Sequence, residues 1–428
     1  MAHVEGRGPG LDKFTKHPVW AALRSWTAAR LLGRTRYVAL GGGSLLACMY
    51  IGVLQELTGH DDAVFAAWAS QLKGVAGTSA GAILGFLIAA GTTTSAMCAM
   101  MAACNVTAIA EEAKGITGSS FAAWGAITSG AAIDDLLLDI VQRALGLPSR
   151  KAARELTLAD FQAGGGPDGP GGRPSSRPLL TIVVTNADEG VVEYWSAATR
   201  PTVPLWLALR ASVAVPGLFP EVVYEGVRYQ DGGITCNLPC FLFPALETLS
   251  LFVHVGGCAS GDETPASRTA SRASSPAKSP APVPPSDSAG LNLASMLLTG
   301  SMRALKMVQL YMCAAQLGPL RGNPLLVCNA VPCRALTSLG LGGAFAFHGG
   351  ATAMQALAAD GVHNARSIIL RDALALLVFA GAFGTAVPTP APAAAAPLVH
   401  QAPRGGPRSP AIPAGIVPAG IVAVPAAQ

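Results

Sequence analysis

The chain has 428 residues, 51% hydrophobic and 13% charged, with 49 glycines and a formal charge of +4 at pH 7. So much apolar sequence buries a large core, in one domain of roughly 300 residues with appended segments. Lys and Arg form no long basic run, which argues against a nucleic-acid partner, and the nine cysteines, without paired Cys-x-x-Cys spacing, argue against a zinc site and for reduced thiols inside a cell.

Met1 to Arg36 mixes charges and glycines with Trp20 and Trp26 and has no continuous apolar stretch, so it is expected to be an N-terminal extension (1–36) rather than a secretory leader. A cytoplasmic protein, peripheral to membranes at most, is the expectation. The first strand is predicted over Tyr37 to Leu40 and is followed by Gly41-Gly42-Gly43-Ser44 and an apolar helix from Leu45 to Leu57. Backbone N–H groups at such a junction point into one space, and glycine lets a ligand oxygen approach closely. An oxyanion cradle fits this pattern. A nucleotide-phosphate loop does not, because the Gly-Lys-Ser/Thr ending and the GxGxxG spacing are both missing. A tight turn with no ligand is the remaining alternative.

A second strand, Leu72 to Ala76, leads into Gly77-Thr78-Ser79-Ala80-Gly81 and then a helix, Ser79 to Ala90, that is apolar on nearly every side. Strand, sharp turn and buried helix around a serine flanked by small residues is the pattern of a nucleophile elbow, which exposes the hydroxyl beside the free N–H groups of the helix. Gly74 to Ala110 carries no charge, yet the elbow, the Gly91-Thr92-Thr93-Thr94 turn and Asn105 divide it into two buried segments rather than a membrane span. Ala373 to Val387 is too short to span a membrane and is expected to be a core or interfacial helix.

Further helices are predicted at Ile133 to Leu145, Pro204 to Val213, Leu291 to Leu317 and Ile368 to Phe379, and strands at Leu179 to Thr185, Val191 to Trp195 and Leu249 to Val255. Gly164 to Pro178 reads as a Gly/Pro loop. Ala259 to Gly290 is Ser-, Pro- and Ala-rich and is expected to be a surface insertion in a domain spanning 37–385; Ala386 to Gln428 is expected to be a disordered tail. Alternating strands and helices predict an α/β fold with a mainly parallel sheet covered on both faces. Asp231-Gly232-Gly233 follows a short strand pair, and alone it reads as a turn.

The order of these blocks, a glycine-rich loop, GTSAG, ASVAVPGLFP (Ala211 to Pro220) and DGGITCNLP (Asp231 to Pro239), resembles the patatin-like phospholipase family of lipid acyl hydrolases. The resemblance runs from about Tyr37 to Pro239, with a weaker echo over Phe345 to Leu357. It implies a three-layer α/β/α sandwich, Ser79 as nucleophile, Asp231 as its base without a histidine, and an oxyanion loop of Gly42, Gly43 and Ser44. Gly77, Gly81, Gly232 and Gly233 support the two motifs. The chain departs from the family pattern where the third and last loop glycines fall on Ser44 and Ala47, with no Arg or Lys present. That departure bears on the strength of the oxyanion site.

Two other readings stand beside this one. A Ser-His-Asp triad would use His254, inside the apolar pattern Phe252-Val253-His254-Val255, or His348, in a Phe347-His348-Gly349-Gly350 turn. A lipid-binding or membrane-associated protein would keep the fold with little catalysis. The expected partners are a lipid substrate and transient contact with a membrane or lipid-droplet surface. No Asp-rich calcium loop is present, so neither metal nor cofactor is expected. The lipid class and the oligomeric state stay open.

Overall fold

Val38, Ala39 and Leu40 are all fully buried, as a parallel strand covered on both faces requires, and they belong to an interior strand of the sheet. The structure, a computed structural model, describes residues 18–253 except 115–116, 120–122, 124 and 165–176, together with Lys16, 354–366 and Ile369. The elements in order are α1 (Pro18–Arg34), β1 (Tyr37–Leu40), a 3-10 turn (Ser44–Ala47), α2 (Cys48–Thr58), α3 (Asp62–Ala69), β2 (Gly74–Thr78), α4 (Ala80–Ala89), α5 (Thr94–Ala103) and α6 (Thr107–Lys114). Next come α7 (Ala131–Ala144), α8 (Arg150–Glu155), α9 (Leu158–Gln162), β3 (Leu179–Asn186), β4 (Val191–Trp195), α10 (Leu205–Ser212), β5 (Val222–Tyr224), β6 (Val227–Asp231) and β7 (Thr248–Leu251). A last helix, α11, occupies 354–366.

This is an α/β fold with a mixed, mainly parallel seven-stranded sheet flanked by helices. Strands β7, β1, β2 and β3 run parallel, while β4 and β6 pair antiparallel with β3, and β5 with β6. The register on β3 positions the site. Val183 pairs with Thr78 of β2 and with Tyr194 of β4, and Val184 pairs with Asp231 of β6 and with Glu193 of β4. Because β4 occupies one edge at both positions, β2 and β6 share the other. They run toward each other along it, and their C-terminal ends meet at Val183 and Val184.

The predicted strands all form, although β2 begins and ends two residues later than its apolar run. Its frame is set by pairing with β1 and β3, where Gly74 faces Tyr37 and Thr78 faces Val183. Helix α1 has no predicted counterpart, yet Trp20, Leu31 and Leu32 are buried in the main core. Its arginines interrupt the apolar periodicity that would have marked it. Helices α3, α5, α8 and α9 also lack a predicted counterpart, although a capping residue precedes each. Asp61, Thr93, Ser149 and Thr157 accept backbone N–H bonds at these N-termini, and Thr157 with Asp160 forms a reciprocal capping box.

The uncharged run Gly74 to Ala110 becomes β2, the elbow, α4, α5 and the start of α6. Among the described residues no helix is long and apolar enough to cross a membrane. The predicted helices at Leu291 to Leu317 and Ile368 to Phe379, the Ala373 to Val387 segment, the Ala259 to Gly290 insertion, the tail, His254 and His348 lie outside the described residues, apart from Ile369.

Candidate active site

Strand β2 ends at Thr78 and α4 starts at Ala80, so the chain reverses on Ser79, which takes φ 54° and ψ −129°. A non-glycine residue there costs on the order of 1–3 kcal/mol and persists only where its surroundings hold it. Several contacts supply that hold. The Ser79 N–H donates to Ser212 Oγ at 2.8 Å, and the Ser212 hydroxyl donates to the Val183 carbonyl at 2.7 Å, tying the turn to β3 through the end of α10. Thr78 Oγ1 donates to the Cys236 carbonyl at 3.0 Å. Gly77 and Gly81 face each other across the elbow, and a Cβ on Gly81 would lie 2.5 Å from the carbonyl oxygens of Leu40 and Gly41 at the end of β1. Only glycine permits this approach of helix to sheet.

Ser212 belongs to the ASVAVPGLFP block but was assigned no role from sequence. It is a small polar residue at the end of α10 and is fully buried. Ser212→Ala is expected to strand the Ser79 N–H without an acceptor and cost about 1–3 kcal/mol. A denaturant melt of the variant against the wild type measures that loss directly.

Asp231 ends β6, and the collinear arrangement of β2 and β6 brings its carboxylate near enough to the Ser79 hydroxyl for that hydroxyl to pull the carboxyl's pKa down. Its own N–H donates to the Ala214 carbonyl at 2.9 Å, and Gly233 N–H donates to Asp231 Oδ1 at 2.7 Å. Gly232 lies so close to β3 that a Cβ would overlap the Val183 carbonyl. The carboxylate is 5% exposed, and burial pushes its pKa up from 3.8 to about 6 against the opposing pull of the Ser79 hydroxyl and Gly233 N–H.

The glycine loop passes beside the same serine. Gly42 packs against it so tightly that a Cβ would come 3.1 Å from Ser79 Cβ, and Gly42 donates its N–H to the Asn237 carbonyl at 3.1 Å. That N–H is therefore already used. Among the described residues the N–H groups of Gly43 and Ser44 have no protein acceptor, and Ser44 takes the left-handed φ of 50° that favours glycine. Of the three predicted loop residues, Gly43 and Ser44 thus offer free donors and Gly42 forms a wall. Ala80, at the first position of α4, adds a helix N-terminus beside the serine.

Ser79 and Ser44 open onto a cavity of about 100 Å³, otherwise lined by apolar side chains and cysteines, among them Ile83, Ile109, Ile140 and Phe219. Phe219 lines the cavity, whereas its neighbour Leu218 does not and is buried in the core. Ser79 is 8% exposed, so its hydroxyl is reached through this cavity rather than from open solvent. Among the described residues no cluster of three or more His, Cys, Asp or Glu is placed to hold a metal.

Residues 38–243 match the family model described as patatin-like phospholipase. This segment is a patatin-like phospholipase domain. Members of that family are serine lipid hydrolases. The patatin-like domain holds the elbow, the glycine loop and Asp231, and so the whole of the constellation above. A curated relative, the uncharacterized protein R571 of Acanthamoeba polyphaga mimivirus, is 38% identical over 64 residues, which is 15% of this chain and 22% of the relative's length. The crystal structure of VipD from Legionella pneumophila is 17% identical, with a TM-score of 0.35 over 53% of this chain and 50% of that one.

Proposed function

We propose that the protein is a lipid acyl hydrolase that cleaves fatty-acyl esters through Ser79 and Asp231 and an acyl-enzyme intermediate. One observation carries this reading: two strand ends meet head to head on β3, one leading into a strained serine that lines an apolar cavity and the other ending on a buried carboxylate. Family membership supports it independently.

A serine hydroxyl alone is a weak nucleophile at neutral pH, and Asp231 would take its proton as Ser79 attacks the ester carbonyl. The charge that develops on the carbonyl oxygen would be met by the N–H groups of Gly43 and Ser44, each well-placed donor contributing on the order of 3 kcal/mol. Water activated by the same carboxylate would then release the fatty acid. The uncharged lining suits an acyl chain and offers no site to a charged head group, which would stay at the surface of a membrane or lipid droplet.

Incubation with defined phospholipids, lysophospholipids, galactolipids and glycerides, followed by identification of the released fatty acids, tests the reading. Activity is expected to persist in His254→Ala and His348→Ala. Near-total loss in either would replace the dyad with a triad. A folded protein that releases no fatty acid and whose Ser79 resists a fluorophosphonate would instead be a lipid-binding member of the fold.

The pH dependence follows from Asp231. With its pKa raised to about 6, the carboxylate is protonated below that value and cannot act as a base. Log kcat/KM for a soluble ester is expected to rise with unit slope up to about pH 6 and then level off. Stability moves the other way, because a carboxyl whose pKa is higher folded than unfolded favours folding below pH 4, and that contribution is lost between about pH 4 and 6. A pH–rate profile together with melts across the same range reads both.

A further inference from the structure

Helix α11 lies beyond the matched residues 38–243, yet it is built into the core. Its first residue, Met354, is 2% exposed and lines the cavity that Ser79 opens onto. Three contacts hold the helix against α2. A Cβ on Gly52 would overlap the Ala358 carbonyl, and one on Gly361 would overlap the Met49 carbonyl, so the two backbones touch through small residues on both sides. Arg366 Nε meets Glu56 Oε2 at 3.1 Å, and Glu56 is only 1% exposed. Helix α2 starts at Cys48, itself on the cavity wall. The crossing therefore fixes Met354 relative to Ser79.

The cavity is finite. Apart from Ser44 and Ser79 it is lined by apolar side chains and cysteines, and Met354 is the lining residue that α11 contributes. We propose that Met354 is a specificity-determining residue: through it α11 forms part of the wall of the acyl cavity and sets the length of acyl chain that the enzyme prefers. This rests on the acyl-hydrolase reading above. A methionine side chain is unbranched and adapts to its neighbours, so a smaller or larger residue at this position changes the capacity of the cavity more than it disturbs the surrounding packing.

The test uses the full chain and p-nitrophenyl esters from acetate to palmitate. Each added methylene that finds room is expected to raise kcat/KM about fourfold, until the cavity is full. Met354→Ala is expected to move the optimum about two carbons longer, and Met354→Trp to move it at least two carbons shorter, about one methylene-sized volume being gained or lost per step. The ratio of kcat/KM between ester lengths is internal to each variant and independent of the fraction folded; if Met354→Trp does not fold, Met354→Ala decides alone. A second measurement needs no turnover. Saturated fatty acids of graded length displace cis-parinaric acid from Ser79→Ala protein, with and without each Met354 change. Shifted displacement profiles without any esterase activity would uphold the wall and overturn the hydrolase reading. Profiles that stay the same across all variants would overturn the role of Met354, whatever the esterase result.

Discussion

Ser79→Ala is expected to lower kcat/KM for a fatty-acyl ester by roughly 10⁴-fold or more, and Asp231→Asn by a comparable factor, because each removes one half of a single proton-transfer unit. The double variant should then be little worse than either single one, since residues that act as a unit lose their effect together. Fluorophosphonate labelling separates the roles. It should vanish in Ser79→Ala and slow strongly in Asp231→Asn, where the hydroxyl survives without its base. The nearness of Ser79 to Asp231 on the opposed ends of β2 and β6 and the burial of both residues carry this expectation. Additive losses in the double variant would show that Ser79 and Asp231 act separately, and full activity in Asp231→Asn would move the base to another residue, with His254 and His348 the first to replace.

The second large effect is on folding. Gly81→Val puts branched carbons where even a Cβ lies 2.5 Å from the carbonyl oxygens of Leu40 and Gly41, neither of which moves without shifting β1, an interior strand of the sheet. Overpacking of well-packed sites costs about 1–3 kcal/mol, and a rigid backbone neighbour on both sides places this site at or above the upper end. A fall in melting temperature of about 5–10 °C is expected, if the variant accumulates as folded protein at all. Gly33→Ala is the matched control. Its added Cβ meets nothing within 4 Å and lies in the last turn of α1, so it should leave the melting temperature about unchanged. Equal melting temperatures for wild type and Gly81→Val would mean that α4 does not need its close seat against β1.

The elbow was legible in sequence because its chemistry is local. Gly77-Thr78-Ser79-Ala80-Gly81 between a strand and an apolar helix specifies a turn whose steric demands are met within five residues. The glycine loop was legible for the same reason. Which of its N–H groups stay free was not, because the answer depends on Asn237, whose carbonyl takes up the Gly42 donor from far along the chain. Helix α1 was missed because its buried face is interrupted by arginines, and α3, α5, α8 and α9 because capping residues outweighed weak periodicity.

By itself the sequence determined the α/β class and the elbow on Ser79, and the resemblance pointed to Asp231 as the partner proposed for that serine. Only the tertiary structure decided how the pair meets, on opposed strand ends along one edge of β3, and that Ser212 secures the turn from α10. It also decided that α11 completes the cavity wall through Met354. Turn geometry and strand alternation arise from neighbours a few bonds apart, whereas strand register, donor occupancy and cavity closure arise from contacts between segments that only packing brings together.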